Sequence, residues 1–227
     1  MSDPLRLIIF DVDGTLVDSQ GAIVGAMTAA FADMGLAVPD RSKILSIVGL
    51  SLDHAVARLA PDQAPRQQAG LVARYKAAYH AQRIATGAAQ GSPLYPGAVQ
   101  MLHQLSARPD TLLGVATGKS QRGLQALLAA HGLERMFVTT QVADHHPSKP
   151  HPSMILTAMV ETGVAREHTV MIGDTSYDMD MAHAAQVTGI GVSWGYHARS
   201  ALSAAKVVID GFDALPASLD DIWKMTA

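Results

Sequence analysis

Leu5-Arg6-Leu7-Ile8-Ile9-Phe10-Asp11-Val12-Asp13-Gly14-Thr15-Leu16 runs from a continuous apolar stretch straight into two acids. A short apolar run with β-branched residues, ended by a charge, is the signature of a buried strand. Period-two geometry then puts Asp11 and Asp13 on one side of the extended chain and Val12 on the other. Two carboxylates that close repel each other, so one is expected to take up a proton or a cation. Gly14 lets the backbone turn sharply just after them. Alone, such a pair reads as an acidic strand-end turn; its meaning depends on what the rest of the chain brings to it.

Working outward, similar apolar runs recur at Thr111 to Ala116, Met136 to Thr139, Thr169 to Ile172, Gly189 to Ser193 and Val207 to Asp210. Helical patterns lie between them: Ala98 to Leu105 after Pro96, Gln121 to Ala130 ending at Gly132, Ser153 to Glu161 ending at Gly163, and Tyr177 to Gln186. Strands alternating with helices of this length imply an α/β fold with a Rossmann-like parallel sheet. One region breaks the alternation. Between Ser19 and Gln90 only helical patterns occur, at Gly21 to Met34, Arg41 to Val48, Leu52 to Leu59 with Ser51 as N-cap, and Ala64 to Ala85. Gly87, Gly91, Pro93 and Pro96 mark Thr86 to Pro96 as a linker. The expected organisation is a core from residues 1–18 and 92–227, with a helical insertion, 19–91, after the first strand.

Composition narrows the function classes. Of 227 residues, 48% are hydrophobic and 16% charged, which suits a sizeable core and excludes wholesale disorder. The balance of 17 Lys+Arg against 20 Asp+Glu, a formal net charge of −3, argues against non-specific nucleic-acid binding. Cysteine is absent, which rules out a disulfide framework, a thiol nucleophile and a thiolate metal site, and fits a reducing cytoplasm. The apolar run Leu7 to Phe10 is too short for a signal peptide, and Gly21 to Ala32 too short to span a bilayer, so neither export nor a membrane is expected.

A second acidic motif, Gly173-Asp174-Thr175-Ser176-Tyr177-Asp178, follows another apolar strand and opens a helix. Asp174 and Asp178 share a face if that helix starts early, whereas Asp180 faces elsewhere. Carboxylates at a helix N-terminus are favoured by the dipole, so one such motif proves nothing. Acids at two strand ends carry more weight, because ligands of an open α/β sheet sit outside the carboxyl ends of its strands. Hard oxygen ligands from Asp11, Asp13 and Asp174, without Cys, suit magnesium rather than zinc. Thr117-Gly118 adds a hydroxyl and an open backbone N–H after the strand Leu112 to Ala116, and Lys149 stands in Pro147-Ser148-Lys149-Pro150-His151-Pro152, a rigid loop before a helix. A carboxylate, a cation, a hydroxyl and an ammonium are the parts that phosphoryl transfer through an aspartyl-phosphate needs.

In order along the chain, Asp11-Val12-Asp13-Gly14-Thr15-Leu16, Thr117-Gly118, Lys149 and Gly173 to Asp178 resemble the four motifs of the haloacid dehalogenase-like hydrolase superfamily. The helical insertion, Ala116-Thr117-Gly118-Lys119-Ser120 and Ser148-Lys149-Pro150-His151-Pro152 look like the branch containing phosphoglycolate phosphatase, whose insertion is a helical cap. The resemblance implies that Asp11 attacks phosphorus, and that Asp13 protonates the leaving alcohol and then activates water. It implies that Thr117, Gly118 and Lys149 hold the phosphoryl group. Magnesium (Mg2+) would be bound by Asp11, the Asp13 carbonyl and Asp174, with Asp178 supporting Lys149 or the metal's waters. A small phosphorylated metabolite is the implied partner, phosphoglycolate first, with sugar phosphates, nucleotides and pyrophosphate open. Asp13 argues against a dehalogenase, whose branch lacks that second acid.

Three rivals remain. Gly114 to Ser120 resembles a nucleotide-binding P-loop, but only three residues separate its glycines where four are needed. A phosphomutase differs mainly in the cap, and a non-catalytic member of the fold would retain none of the reason for four intact motifs. Specificity is expected from cap or rim cations: Arg41, Lys43 and Arg58 in the insertion, and Lys119 and Arg122 after the second motif. Each is more often a solvated charge. His145, His146 and His151 match no metal-ligand spacing and read as loop residues.

Overall fold

The computed structural model describes residues 4–224, so the outermost three residues at each end of the expected core lie outside it. The elements run β1 (Arg6–Phe10), α1 (Gln20–Asp33), α2 (Arg41–Leu45), α3 (Leu52–Leu59), α4 (Pro65–Thr86), α5 (Ala88–Gly91), α6 (Ala98–Ser106), β2 (Thr111–Thr117), α7 (Gln121–His131), β3 (Thr139–Val142), α8 (Ser153–Thr162), β4 (Thr169–Gly173), α9 (Ser176–Ala185), β5 (Thr188–Val192), β6 (Val207–Ile209) and α10 (Leu215–Lys224). The six strands form one sheet, all parallel, in the order β3-β2-β1-β4-β5-β6.

β1 explains why the sheet is buried on both faces. Its side chains alternate, and both sets are apolar. Ile8 and Phe10 enter a cluster with Leu102, Leu105, Val170 and Trp223. Leu7 and Ile9 enter another with Met154, Ile155, Met171 and Met181. Helices therefore cover both sides. The strand order reverses between β1 and β4, which leaves a crevice at their carboxyl ends.

The helical segment between β1 and α6 buries its own apolar cluster, built from Ile23, Met27, Phe31, Ile44, Val56 and Leu71, with α1 packed along α4. Chain exit and return are stitched together. Val17 bridges Leu94, Asp18 N–H donates to Pro93 C=O at 2.8 Å, and Tyr95 N–H donates to Leu16 C=O at 2.9 Å.

Three local readings shift. β3 begins at Thr139 rather than Met136. Its ladder opens with Gly114 opposite Thr139, while Phe137 turns into the core and Val138 stays 61% exposed. The apolar residues there mark the approach to the strand. The helix expected over Arg41 to Val48 stops at Leu45. Gly49 turns at φ +100°, and the Ser46 carbonyl accepts from Tyr177 Oη at 3.0 Å and lies 3.2 Å from His197 Nε2. Contacts with the core thus replace the next helical turn. The linker Thr86 to Pro96 contains one helical turn, α5. Ser51 does precede α3, but its hydroxyl pairs with His54 Nδ1 at 2.9 Å rather than with a backbone N–H.

Truncating Ile8 to Ala removes a fully buried side chain from the central strand. Urea unfolding should show a loss of about 2–5 kcal/mol. The same measurement on Val160→Ala, at an 82%-exposed position, should stay within about 0.5 kcal/mol of the parent.

Candidate active site

Asp11 stands one residue past β1, Thr117 ends β2, and Asp174 follows β4. These are the three central strands, so sheet order alone carries the three side chains to one edge. The Asp11 N–H donates to Ile172 C=O at 2.9 Å, which extends the β1–β4 pairing to the acid itself. Gly14 adopts φ +87°, and a Cβ there would fall 2.2 Å from an Asp174 carboxylate oxygen. A side chain at that position would clash with the site as well as strain the turn.

Lys149 arrives from the proline-bracketed loop before α8. Its ammonium is fully buried and lies 2.8 Å from Asp11 Oδ1 and 2.6 Å from Asp178 Oδ1. α9 begins after Asp174, so Asp174 is not helical. Asp178 is the third residue of α9 and forms a capping box with Thr175. Its Oδ2 accepts from Thr175 N–H at 3.1 Å and from Thr175 Oγ1 at 2.7 Å. Both Asp178 oxygens are therefore occupied, and it fixes Lys149. Asp174 Oδ1 accepts from Thr15 Oγ1 at 3.0 Å and its Oδ2 from Tyr196 N–H at 2.8 Å.

Carboxylate oxygens of Asp11, Asp174 and Asp178 lie within 4.8 Å of one another, all buried. Burial pushes the Asp11 carboxyl up to about 7 against the pull of Lys149, with Asp178 and Asp13 adding repulsion. Burial, then the Asp11 and Asp178 charges, push Asp174 well above the carboxylate range. The two carboxylates outweigh burial at Lys149, whose ammonium is pushed up. Asp11 Oδ2 is buried without a hydrogen-bond partner. An orphaned oxygen, excess buried negative charge and an all-oxygen donor set fit a divalent metal.

Asp13 takes a separate position. Its side chain bonds the Ser19 hydroxyl and pairs with Lys119 Nζ at 2.8 Å. Ser19 in turn lies 3.1 Å from Tyr196 Oη. Asp11, Asp13, Thr117 and Gly118 line a cleft of about 440 Å³ between the sheet edge and the helical segment, while Lys149, Asp174 and Asp178 lie outside its lining, buried. A Cβ on Gly118 would come within 2.6 Å of Leu50 C=O, so only glycine lets the helical segment settle onto this loop. Ser51 N–H donates to Ser148 Oγ at 2.9 Å and ties that segment to the Lys149 loop.

The other predicted residues divide. Lys119 and Arg122 line the cleft. Arg41, Lys43 and Arg58 do not. Arg41 bonds Gln20 Oε1, Lys43 is exposed, and Arg58 sits over the Tyr177 ring with a 2.8 Å bond to its hydroxyl. All three lie in the helical segment, but helix orientation keeps them out of the cleft lining. His146 bonds Ser153 Oγ and Gln141 Oε1, both at 2.8 Å, and props the loop. The P-loop resemblance fails on geometry: Gly114 to Thr117 lie in the β2 ladder, leaving too little loop to wrap a phosphate. Sequence reading missed Thr15, Ser19, Thr175 and Tyr196. Thr15 and Thr175 lie inside the quoted motifs. For Tyr196 the available signal was its place just beyond an apolar strand, β5.

Comparison with known proteins agrees with this geometry. The family model described as haloacid dehalogenase-like hydrolase matches residues 8–192. The chain is 37% identical over 226 residues to "Probable phosphatase IndB" of Dickeya dadantii, covering 97% of this chain and 96% of that protein. It is 31% identical to phosphoglycolate phosphatase of Rhodospirillum rubrum, covering 92% and 89%. A hydrolase structure from Pseudomonas syringae superposes with a TM-score of 0.83 at 25% identity, covering 96% and 99%. The chain belongs to the haloacid dehalogenase-like hydrolase family. Within it, the chain falls in the phosphoglycolate phosphatase-like branch and is a phosphatase.

Replacing Lys149 with Met strands two buried carboxylates without their counter-charge. Chemical unfolding should show a loss of about 3–5 kcal/mol. The loss should shrink as pH falls toward about 7, because Asp11 reaches that value only with the pull of Lys149 and without it takes up its proton at higher pH. Protonation relieves the repulsion, and the folded state then binds more protons than the unfolded one.

Proposed function

We propose that this phosphatase is a magnesium-dependent phosphomonoester hydrolase working through an aspartyl-phosphate on Asp11. The observation that carries the reading is Asp11 itself, buried at the cleft floor, with Oδ1 held by Lys149 and Oδ2 unpartnered. Asp11, Asp174 and the Asp13 backbone carbonyl would hold the cation, which when bound supplies positive charge that offsets the repulsion between anionic nucleophile and anionic phosphate.

The remaining chemistry belongs to the chain. Lys149 spends two N–H donors on Asp11 and Asp178, and its third serves a phosphoryl oxygen. The Thr117 hydroxyl and Gly118 N–H take the others. Asp11 forms a bond to phosphorus as the ester P–O bond breaks. Asp13, protonated and released from its pairing with Lys119 for this step, gives its proton to the departing alkoxide. Asp13 then removes a proton from water, which attacks phosphorus, releases inorganic phosphate and restores Asp11.

Residues 19–91 act as a cap over a core of 1–18 and 92–227. Support comes from the segment's own apolar cluster and from the paired crossing at Val17 and Leu94. Closure excludes water and brings Tyr75 and Tyr79 to the leaving group, opposite Lys119 of the core. The substrate is a small phosphorylated metabolite. Phosphoglycolate leads on the name of the Rhodospirillum rubrum relative, ahead of sugar phosphates, nucleotides and pyrophosphate.

Phosphate release from a panel of these esters should require magnesium and vanish in Asp11→Asn, with circular dichroism unchanged. Release at the parent rate from that variant would overturn the mechanism. Saturating magnesium should raise the parent's melting temperature, on the order of 2.7 kcal/mol of stabilisation at a hundredfold excess over Kd. Asp174→Asn should lose most of that shift.

A further inference from the structure

A second chamber of about 320 Å³ opens off the active-site cleft. The two meet along Tyr79, Arg83, Lys119 and Gly123, which line both. Lys119, which lines both, is also the partner of Asp13. Asp13, the proposed proton donor, pairs with Lys119 Nζ at 2.8 Å, and that ammonium lies 3.4 Å from Tyr79 Oη and 5.5 Å from the Tyr79 ring centre. A group departing past Asp13 therefore meets Lys119 and Tyr79, and then Arg83, one helical turn along α4 from Tyr79.

The charges here are one-sided. Among the described residues lining the second chamber, the only charged ones are Arg83 and Lys119, and no carboxylate joins them. Lys119 is neutralised by Asp13. Arg83 has no carboxylate partner among the described residues; its Nη2 lies 3.1 Å from His80 Nδ1. Gln82, Gln90, Thr86 and Ser92 complete a wall of neutral hydrogen-bonding groups. Arg83 lies one helical turn, about 6 Å, along α4 from Tyr79, so a substrate that reaches it from Asp13 must be longer than a two-carbon ester.

We infer that the seam between the chambers is an anion subsite. Arg83 there receives a carboxylate, or a second phosphate, at the far end of a substrate longer than phosphoglycolate. The inference rests on the phosphatase reading and deepens it by naming the substrate class: a phosphomonoester whose leaving group carries a remote anion. Arg83 is a specificity-determining residue and takes no part in the phosphoryl transfer.

Steady-state phosphate release tests this with four esters. These are p-nitrophenyl phosphate, 2-phosphoglycolate, 6-phosphogluconate with its remote carboxylate, and sorbitol 6-phosphate as the neutral match. The parent should favour 6-phosphogluconate over sorbitol 6-phosphate in kcat/KM by roughly tenfold or more, the scale of one charge-assisted hydrogen bond. Arg83→Gln should erase that preference through KM, leaving kcat and p-nitrophenyl phosphate turnover unchanged. Arg83→Lys should restore part of it. Equal efficiency on the acid and its neutral match, or an Arg83→Gln loss shared equally by all four esters, overturns the subsite while the phosphatase reading stands. No release from any ester by the parent removes that reading and the subsite with it.

Discussion

A single ammonium, that of Lys149, sits fully buried between the carboxylates of Asp11 and Asp178, and the rest of the site is arranged around it. Burying three charges is costly in isolation, at several kcal/mol per ion even after relaxation. The pairing offsets only part of that. With Asp174 included, three buried carboxylates face one ammonium. Burial first, and then the neighbouring carboxylates, push Asp11 and Asp174 up, while Lys149 is held firmly charged. The excess negative charge also makes the cluster one that could hold a divalent cation.

Holding that triad requires three distant parts of the chain to agree. β1 delivers Asp11, the loop before α8 delivers Lys149, and the first turn of α9 delivers Asp178 with Thr175 as its cap. The loop is braced from below by His146, which links Gln141 to Ser153, and from above by Ser51 through Ser148. The helical segment is thereby coupled to the lysine that orients the proposed nucleophile. Its approach over Gly118 and the contacts of Ser46 with Tyr177 and His197 serve the same closure.

Much of this was legible in the order of residues. Apolar runs that end in Asp11, Thr117 and Asp174 announced both the strands and the candidate residues at their ends, because parallel strands buried on two faces leave no polar alternation to blur the pattern. Boundaries were less secure where apolar residues serve the core without joining the ladder, as at Met136 to Val138. The helix from Arg41 ended early for a related reason: the Ser46 carbonyl is satisfied by the core, a partner 131 residues away in the chain.

Sequence alone determined the α/β class and the helical run after the first strand, and it offered the acids, lysine and hydroxyl of the candidate site, since these follow from short-range periodicity and from residue chemistry at strand ends. Only the tertiary structure decided which cations face the cleft. Arg41, Lys43 and Arg58 are as basic as Arg83 and Lys119, but the rotation of each helix against its neighbours sets where a side chain points. It likewise gave the two acids of the first motif different partners: Asp11 pairs with Lys149, and Asp13 with Ser19 and Lys119. Local sequence carries no record of those long-range contacts, and packing alone supplies them.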